Sequence, residues 1–149
     1  MSLWGPLAER YETVRPRRLL ALDGGGIRGV MTLEILAEIE RQLAAIRSSG
    51  AEFRLCQFFD YVGGTSTGAI IAAGLARGMS VGELLDFYKT VGLSMFDKEK
   101  LLLRFRNLYK SEPLAAQLKK TYGADTTLEL LHLKCLLLAV IRNVTTDSP

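Results

Sequence analysis

The chain has 149 residues, of which 48% are hydrophobic, and its formal net charge is +3 at pH 7. This length is enough for one domain with a sizeable core, and so small a charge gives no argument for nucleic-acid binding. Cys56 and Cys135 lie in apolar surroundings without C-x-x-C spacing, which favours buried thiols over a disulfide or a metal site. We therefore expect a cytoplasmic protein without a metal or other cofactor.

The sequence offers little that would hold the protein in a membrane. The first 18 residues lack the apolar stretch of a secretory signal. The longest apolar run, residues 135–141, is far too short to span a bilayer. Residues 98–110 mix basic with apolar side chains, which suits transient contact with an anionic lipid surface. The alternative is a local structure with buried leucines and solvated lysines.

Strands and helices alternate along the chain after an N-terminal arm, residues 1–16, that we expect to be loosely packed. Apolar periodicity predicts strands at 17–23, 58–62 and 134–144, and helices at 30–47 and 69–78. Two more helices are predicted before the third strand, one beginning at the capping box of Ser80 and Glu83 and ending near Val91, the other over residues 111–123. This order favours an α/β protein, a three-layer α/β/α sandwich with a mainly parallel sheet, over residues 17–149.

A glycine-rich segment, Gly24-Gly25-Gly26-Ile27-Arg28-Gly29, directly follows the first strand and Asp23. It contains G-x-G-x-x-G and so permits a dinucleotide-binding module, but no strand ends in an acid about 20 residues on, where the ribose contact needs one; Asp60 comes late. Alternatively, the consecutive N–H groups converge on one point and form an oxyanion hole, with Arg28 adding positive charge. A plain tight turn with an Arg28–Asp23 ion pair is the third interpretation.

A second motif, Gly64-Thr65-Ser66-Thr67-Gly68, stands between the second predicted strand and a helix. G-x-S-x-G in this context is typical of a nucleophile elbow, a strained turn that exposes the serine hydroxyl. Glycine on either side avoids Cβ clashes and lets the helix pack close to the strand. The alternative is a serine that only caps the helix.

Both motifs follow strands, so in a parallel sheet both open on the same carboxyl edge. A donor loop facing a serine would form an acyl-transfer site. His132, the only histidine, precedes the third strand and is therefore expected at the opposite edge, which argues against a Ser–His–Asp triad. We expect an aspartate to act directly on the serine.

Residues 22–29 (LDGGGIRG), followed by a helix and then by residues 59–70 (FDYVGGTSTGAI), resemble the patatin-like phospholipase family. The resemblance covers about residues 17–145 and implies a lipid acyl hydrolase with a Ser–Asp dyad and no metal. Its substrates would be ester-linked acyl chains of phospholipids or related lipids. It implies a nucleophile, Ser66, an elbow made of Gly64, Thr65, Thr67 and Gly68, and an oxyanion hole made of Gly24, Gly25 and Gly26 with support from Arg28.

The family's catalytic aspartate stands in an Asp-Gly-Gly or Asp-Gly-Ala motif, and no Asp-Gly follows Ser66 here. The aspartates after Ser66 are Asp86, Asp97, Asp125 and Asp147. Asp147 follows the third strand and so lies at the correct edge, but its neighbours do not match the motif. We therefore expect a truncated family member that lacks its acid. A catalytically inactive interaction fragment is the remaining alternative.

Overall fold

The computed structural model describes residues 3–48, 50–96 and 112–141. Within these ranges the sheet consists of β1 (Leu19–Leu22), β2 (Tyr61–Thr65) and β3 (Leu136–Val140). The α-helices there are α1 (Ala8–Glu12), α2 (Gly29–Ile46), α3 (Thr67–Arg77), α4 (Val81–Phe96) and α5 (Glu112–Tyr122). Asp97, Asp147 and the basic segment 98–110 lie outside the described residues.

The sheet is parallel throughout, and β2 lies between β1 and β3. Leu22 is paired with Gly64, and Thr65 is paired with Val140. Because the three strands run in the same direction, the segments that follow them leave from one edge of the sheet. This arrangement confirms the predicted α/β class with a parallel sheet, and it brings the glycine-rich segment next to the serine turn.

Helix α3 packs against all three strands, and none of its residues is fully exposed. This burial explains why the segment that follows Ser66 is apolar on nearly all sides of the helix. Gly74 allows a close approach to α4, because a Cβ at this position would lie 2.5 Å from Leu84 Cδ2. Helix α2 contacts α3 and α4 and buries Leu33 and Leu36. The core therefore lies between the sheet and these helices.

The helix ends largely follow the predicted signals. The Ser80 N–H donates to Glu83 Oε2 (2.8 Å) and the Glu83 N–H donates to Ser80 Oγ (3.1 Å), so the capping box is confirmed. Helix α4 extends to Phe96, beyond the predicted end at Val91. Gly123 follows α5 with φ +96°, as a helix-ending glycine should. No helix in the described ranges is long and apolar enough to cross a membrane.

A continuous apolar run such as residues 135–141 is typical of a strand that is buried on both faces, but β3 is exposed on one face. Leu137 packs against the core, whereas Leu138 and Val140 are 63% and 45% exposed. Alternate residues of a strand face opposite sides, so the two exposed residues share the face away from Leu137. Strand β3 is also an edge strand, with β2 as its neighbour in the described part of the chain. An apolar run thus indicated the strand but not which face is covered.

The N-terminal arm is anchored to the sheet, contrary to the expectation of loose packing. Tyr11 of α1 is only 7% exposed, its ring stacks on Trp4, and its hydroxyl donates to the backbone carbonyl of Asp60. Arg10 Nη1 donates to the Cys56 carbonyl and Nη2 to the Phe59 carbonyl, both at 2.7 Å. The arm is therefore held to the segment that leads into β2.

The centre of this anchor is the buried carboxylate of Asp60 at the amino edge of the sheet. It accepts hydrogen bonds from Arg10 Nε at 3.0 Å, from Arg15 Nη1 at 2.9 Å and from the Arg18 backbone N–H at 2.9 Å. Burial by itself raises the pKa of Asp60, but the hydrogen bonds from Arg15, Arg18 and Arg10 outweigh it and hold the pKa well below its usual range. Asp60 is thus a structural residue, remote from the glycine-rich segment.

Candidate active site

Ser66 lies in the one-residue turn between β2 and α3, with φ +52° and ψ −123°. Few non-glycine residues adopt positive φ, and such a conformation costs about 1–3 kcal/mol. Ser66 is exposed, and its side chain makes no capping hydrogen bond to α3. The helix-cap interpretation therefore fails, and the geometry is that of an elbow that presents a hydroxyl to solvent.

The glycines on either side of Ser66 are required by close packing. A Cβ on Gly68 would lie 2.2 Å from the Leu22 carbonyl oxygen, and a Cβ on Gly64 would lie 2.4 Å from the carbonyl carbon of Gly68. Real Cβ atoms do not approach backbone this closely. The absence of side chains at both positions lets the first turn of α3 lie against the end of β1, which fixes the direction in which Ser66 projects.

The glycine-rich segment lies directly against the serine. A Cβ on Gly24 would be 2.8 Å from Ser66 Cβ, and the Gly24 N–H donates to Thr65 Oγ1 at 2.9 Å. The N–H groups of Gly25 and Gly26 both donate to the hydroxyl oxygen of Thr67, at 3.0 and 3.1 Å. Successive amides do converge on one point, and in this structure the Thr67 hydroxyl occupies it.

Sequence reasoning assigned Thr65 and Thr67 to the elbow but missed this second role. Thr67 is 2% exposed, and its side chain joins the two motifs of the site. The signal in the sequence is a hydroxyl residue on each side of the serine. Any anion that takes up the Gly25 and Gly26 amides would have to replace the Thr67 hydroxyl, and this contact gives the dinucleotide interpretation no support.

Arg28 is exposed at the end of a 3₁₀ turn (Gly26–Arg28) that leads into α2. A Cβ on Gly25 would lie 3.6 Å from Arg28 Nε, so the guanidinium stands beside the loop. The ion pair with Asp23 that the sequence allowed is not formed among the described residues. Arg28 thus contributes positive potential near the loop without neutralising the neighbouring carboxylate.

None of the aspartates in the described ranges forms a hydrogen bond with Ser66. Asp60 lies at the opposite edge, Asp86 is exposed on α4 and Asp125 is exposed after α5. Asp23 follows β1 at the carboxyl edge and is exposed. His132 also stays away from the serine, since it precedes β3 and its Nδ1 accepts the Thr127 N–H at 2.9 Å.

A cavity of about 570 Å³ opens at Ser66. It lies between α3, α5 and the end of β3, and Ser66 is the only residue with a polar side chain other than Tyr122 among those described along its wall. The apolar lining consists of Ala69, Ile70, Ala73, Leu118, Val140 and Ile141. A serine hydroxyl at the mouth of an apolar cavity suits an ester of a hydrocarbon chain.

A serine in a strained strand-to-helix turn, with a glycine-rich segment against it at the carboxyl edge of a parallel sheet, is the arrangement typical of a serine hydrolase. The family model of patatin-like phospholipases matches residues 20–147. This chain therefore belongs to the patatin-like phospholipase family.

Three relatives with assigned names are similar to this chain. The cGAMP-activated phospholipase of Vibrio cholerae serotype O1 is 35% identical over 97% of the chain, and that of Escherichia coli is 36% identical over 91%. The intracellular phospholipase A2 of Caenorhabditis elegans is 30% identical over 82% of the chain. The matched parts amount to 43%, 39% and 10% of these relatives, so the chain spans less than half of their length.

Proposed function

We propose that this chain carries the nucleophile of a lipid acyl hydrolase. The observation that carries the proposal is the strained, exposed Ser66 at the mouth of an apolar cavity. Ser66 Oγ attacks the ester carbonyl carbon, the bond to the alcohol oxygen breaks, and the serine proton passes through a base to that oxygen. Water then attacks the acyl-serine, which releases the fatty acid and restores the hydroxyl.

The oxyanion of the tetrahedral intermediate would be stabilised by backbone N–H groups around Ser66. The first N–H groups of α3 have no acceptor within the helix, and the glycine-rich segment supplies Gly25 and Gly26. Their amides already point at one oxygen atom, Thr67 Oγ1. In this proposal the Gly25 and Gly26 amides release the Thr67 hydroxyl and donate to the oxyanion instead as negative charge develops on it. Arg28 adds positive potential.

The base would be an aspartate that works with Ser66 as a dyad. Strand β3 is the parallel neighbour of β2, and Val140 and Ile141 line the Ser66 cavity. A carboxylate carried by the segment after β3 would therefore lie on the same edge as the serine. Asp147 belongs to that segment. The alternative is an aspartate outside these 149 residues, in a protein as long as the relatives.

The proposed substrate is a phospholipid or a related acyl lipid. Support comes from the apolar cavity and from the names of the relatives, which are phospholipases. Contact with a membrane surface would then be transient and peripheral.

By the same comparison we propose that cGAMP raises the activity of the complete protein, since two relatives are named as cGAMP-activated. The test is phospholipid hydrolysis with and without cGAMP.

The experiment for the central proposal is release of fatty acid from phospholipid vesicles by the full-length protein. Ser66→Ala should abolish release, because no other group replaces the hydroxyl. Ser48→Ala is the matched control: Ser48 is also an exposed serine with positive φ, at +53°, but it follows α2 and is absent from the cavity. Hydrolysis that survives Ser66→Ala at the original rate would refute the assignment.

A further inference from the structure

Two neighbouring cavities share a wall, and Ser66 opens on the first of them. The second has a volume of about 310 Å³, and its described lining includes Leu133 and Leu137 together with Arg77 and Lys119. Ala73, Leu118 and Tyr122 line both cavities. These three residues, which we name the partition, therefore separate the cavity of the serine from the second cavity.

Tyr122 is the largest member of the partition and is fixed at two points. Its hydroxyl donates to the Ile70 carbonyl oxygen at 2.8 Å, and its ring lies beside that of Phe87 with 6.4 Å between the ring centres. Burial raises the pKa of Tyr122 well above its usual value, so the hydroxyl stays protonated and remains a donor. The ring of Tyr122 is thus held against α3 at the end of the Ser66 cavity.

The first cavity has a defined length along α3. Ala69, Ile70 and Ala73 lie on one face of α3, and Ser66 stands in the turn directly before the helix, at the end of the same row. The rise of an α-helix gives roughly 10 Å between Ser66 and Ala73, which is close to the length of an extended octanoyl chain. An acyl chain attached to Ser66 can therefore lie along this face before it meets the partition.

We propose that Tyr122 is a specificity-determining residue that sets the length of acyl chain the Ser66 cavity accepts. This inference rests on the proposed function of Ser66 as the nucleophile. Chains up to about the length of octanoyl are buried along α3, and the remaining methylene groups of longer chains stay outside. Removal of the Tyr122 ring joins the two cavities and brings Leu133 and Leu137 within reach of the chain end.

The test is displacement of a fluorescent fatty acid, cis-parinaric acid, by octanoate and by palmitate from the protein and its variants. The unmodified protein should bind the two acids with similar affinity. Tyr122→Ala should increase the preference for palmitate over octanoate at least roughly tenfold, because several more methylene groups become buried. Tyr122→Phe is the matched control, since it keeps the ring and should keep the original ratio.

Leu118→Ala removes the second bulky member of the partition, and it provides an independent measurement if Tyr122→Ala does not give the circular dichroism spectrum of the folded protein. An unchanged ratio in the folded variants, or a shift of equal size in Tyr122→Phe, would overturn the proposal, as would failure of both acids to bind. The two proposals can fail separately. If Tyr122→Ala shifts the binding ratio while Ser66→Ala still hydrolyses lipid, the role of Tyr122 stands and the assignment of Ser66 as the nucleophile is refuted.

Discussion

The two edges of the sheet are built in opposite ways. At the amino edge, the buried Asp60 carboxylate binds two arginine side chains and one backbone N–H, and the N-terminal arm packs over it. At the carboxyl edge, Ser66 is exposed, strained and without a side-chain partner on its own helix. The fold is therefore stabilised at the amino edge of the sheet, whereas the carboxyl edge holds a strained backbone at the residue that is placed for chemistry.

The contrast between the two edges also explains why glycines are concentrated at the carboxyl edge. The amino edge is held by long charged side chains, whereas the carboxyl edge depends on the absence of side chains at Gly64 and Gly68 and on the hydroxyl of Thr67. A substitution at the first edge should therefore alter stability without altering the serine. A substitution at the second edge should alter both.

The largest effect is expected from Asp60→Asn. Loss of the charge removes the buried acceptor of Arg10 and Arg15, which are themselves partly exposed, so the free energy of unfolding should fall by about 2–4 kcal/mol. Denaturant unfolding measures it. Glu38→Gln is the control, because Glu38 pairs with Arg41 at the exposed surface (2.6 Å) and should change little. Equal effects of the two substitutions would contradict the special role of the amino edge.

The pH dependence of stability should report the same carboxylate. The pKa of Asp60 is lower in the folded protein than in the unfolded chain, so its contribution is complete above the unfolded pKa and is lost as pH falls through the folded one. The free energy of unfolding should thus decline below about pH 4. Asp60→Asn should flatten this decline. A slope as steep in the variant as in the original protein would assign the acid sensitivity to other groups.

A smaller effect is expected at the carboxyl edge from Thr67→Val. Valine keeps the shape of the side chain but removes the acceptor of the Gly25 and Gly26 amides, which should cost about 1–3 kcal/mol of stability. It should also slow the reaction of Ser66, because the glycine-rich segment loses its attachment. Thr67→Ser, which retains the oxygen, should preserve both properties. If the valine variant matched the serine variant, the hydroxyl would have no structural role.

The smallest effect, and the only stabilising one, is expected from Ser66→Gly. Glycine adopts positive φ without a Cβ clash, so this variant should be about 1 kcal/mol more stable than Ser66→Ala, which retains the strain. Ala44→Gly, within α2, should show the opposite sign, as glycine normally does inside a helix. A glycine variant no more stable than Ser66→Ala would mean that the turn at Ser66 is not strained.

Local patterns in the sequence were enough to predict the parallel sheet, the helices around it and the meeting of the two motifs at one edge. The reason is that strand direction and chain order fix which loops lie together. The position of His132 away from Ser66 followed from the same argument. Strand-turn-helix context likewise indicated the turn in which Ser66 lies.

Other features depend on contacts between distant parts of the chain. Asp60 was named only as the nearest acid for a ribose contact, and it came late. Its structural role could not be predicted, because its partners Arg10 and Arg15 lie 50 and 45 residues away in the sequence. The role of Thr67 required knowledge of where the amides of Gly25 and Gly26 point. The exposure of Leu138 depends on which face of β3 the helices cover, and an apolar run is the same in either case.

Covalent labelling of the protein with a fluorophosphonate, followed by peptide mapping, tests the role of Ser66 directly. We expect one adduct on the peptide that contains Ser66, its loss in Ser66→Ala, and its retention in Asp60→Glu, which preserves the charge at the other edge. An adduct on another serine, or labelling undiminished in Ser66→Ala, would contradict the claim that the exposed, strained serine at the carboxyl edge is the nucleophile.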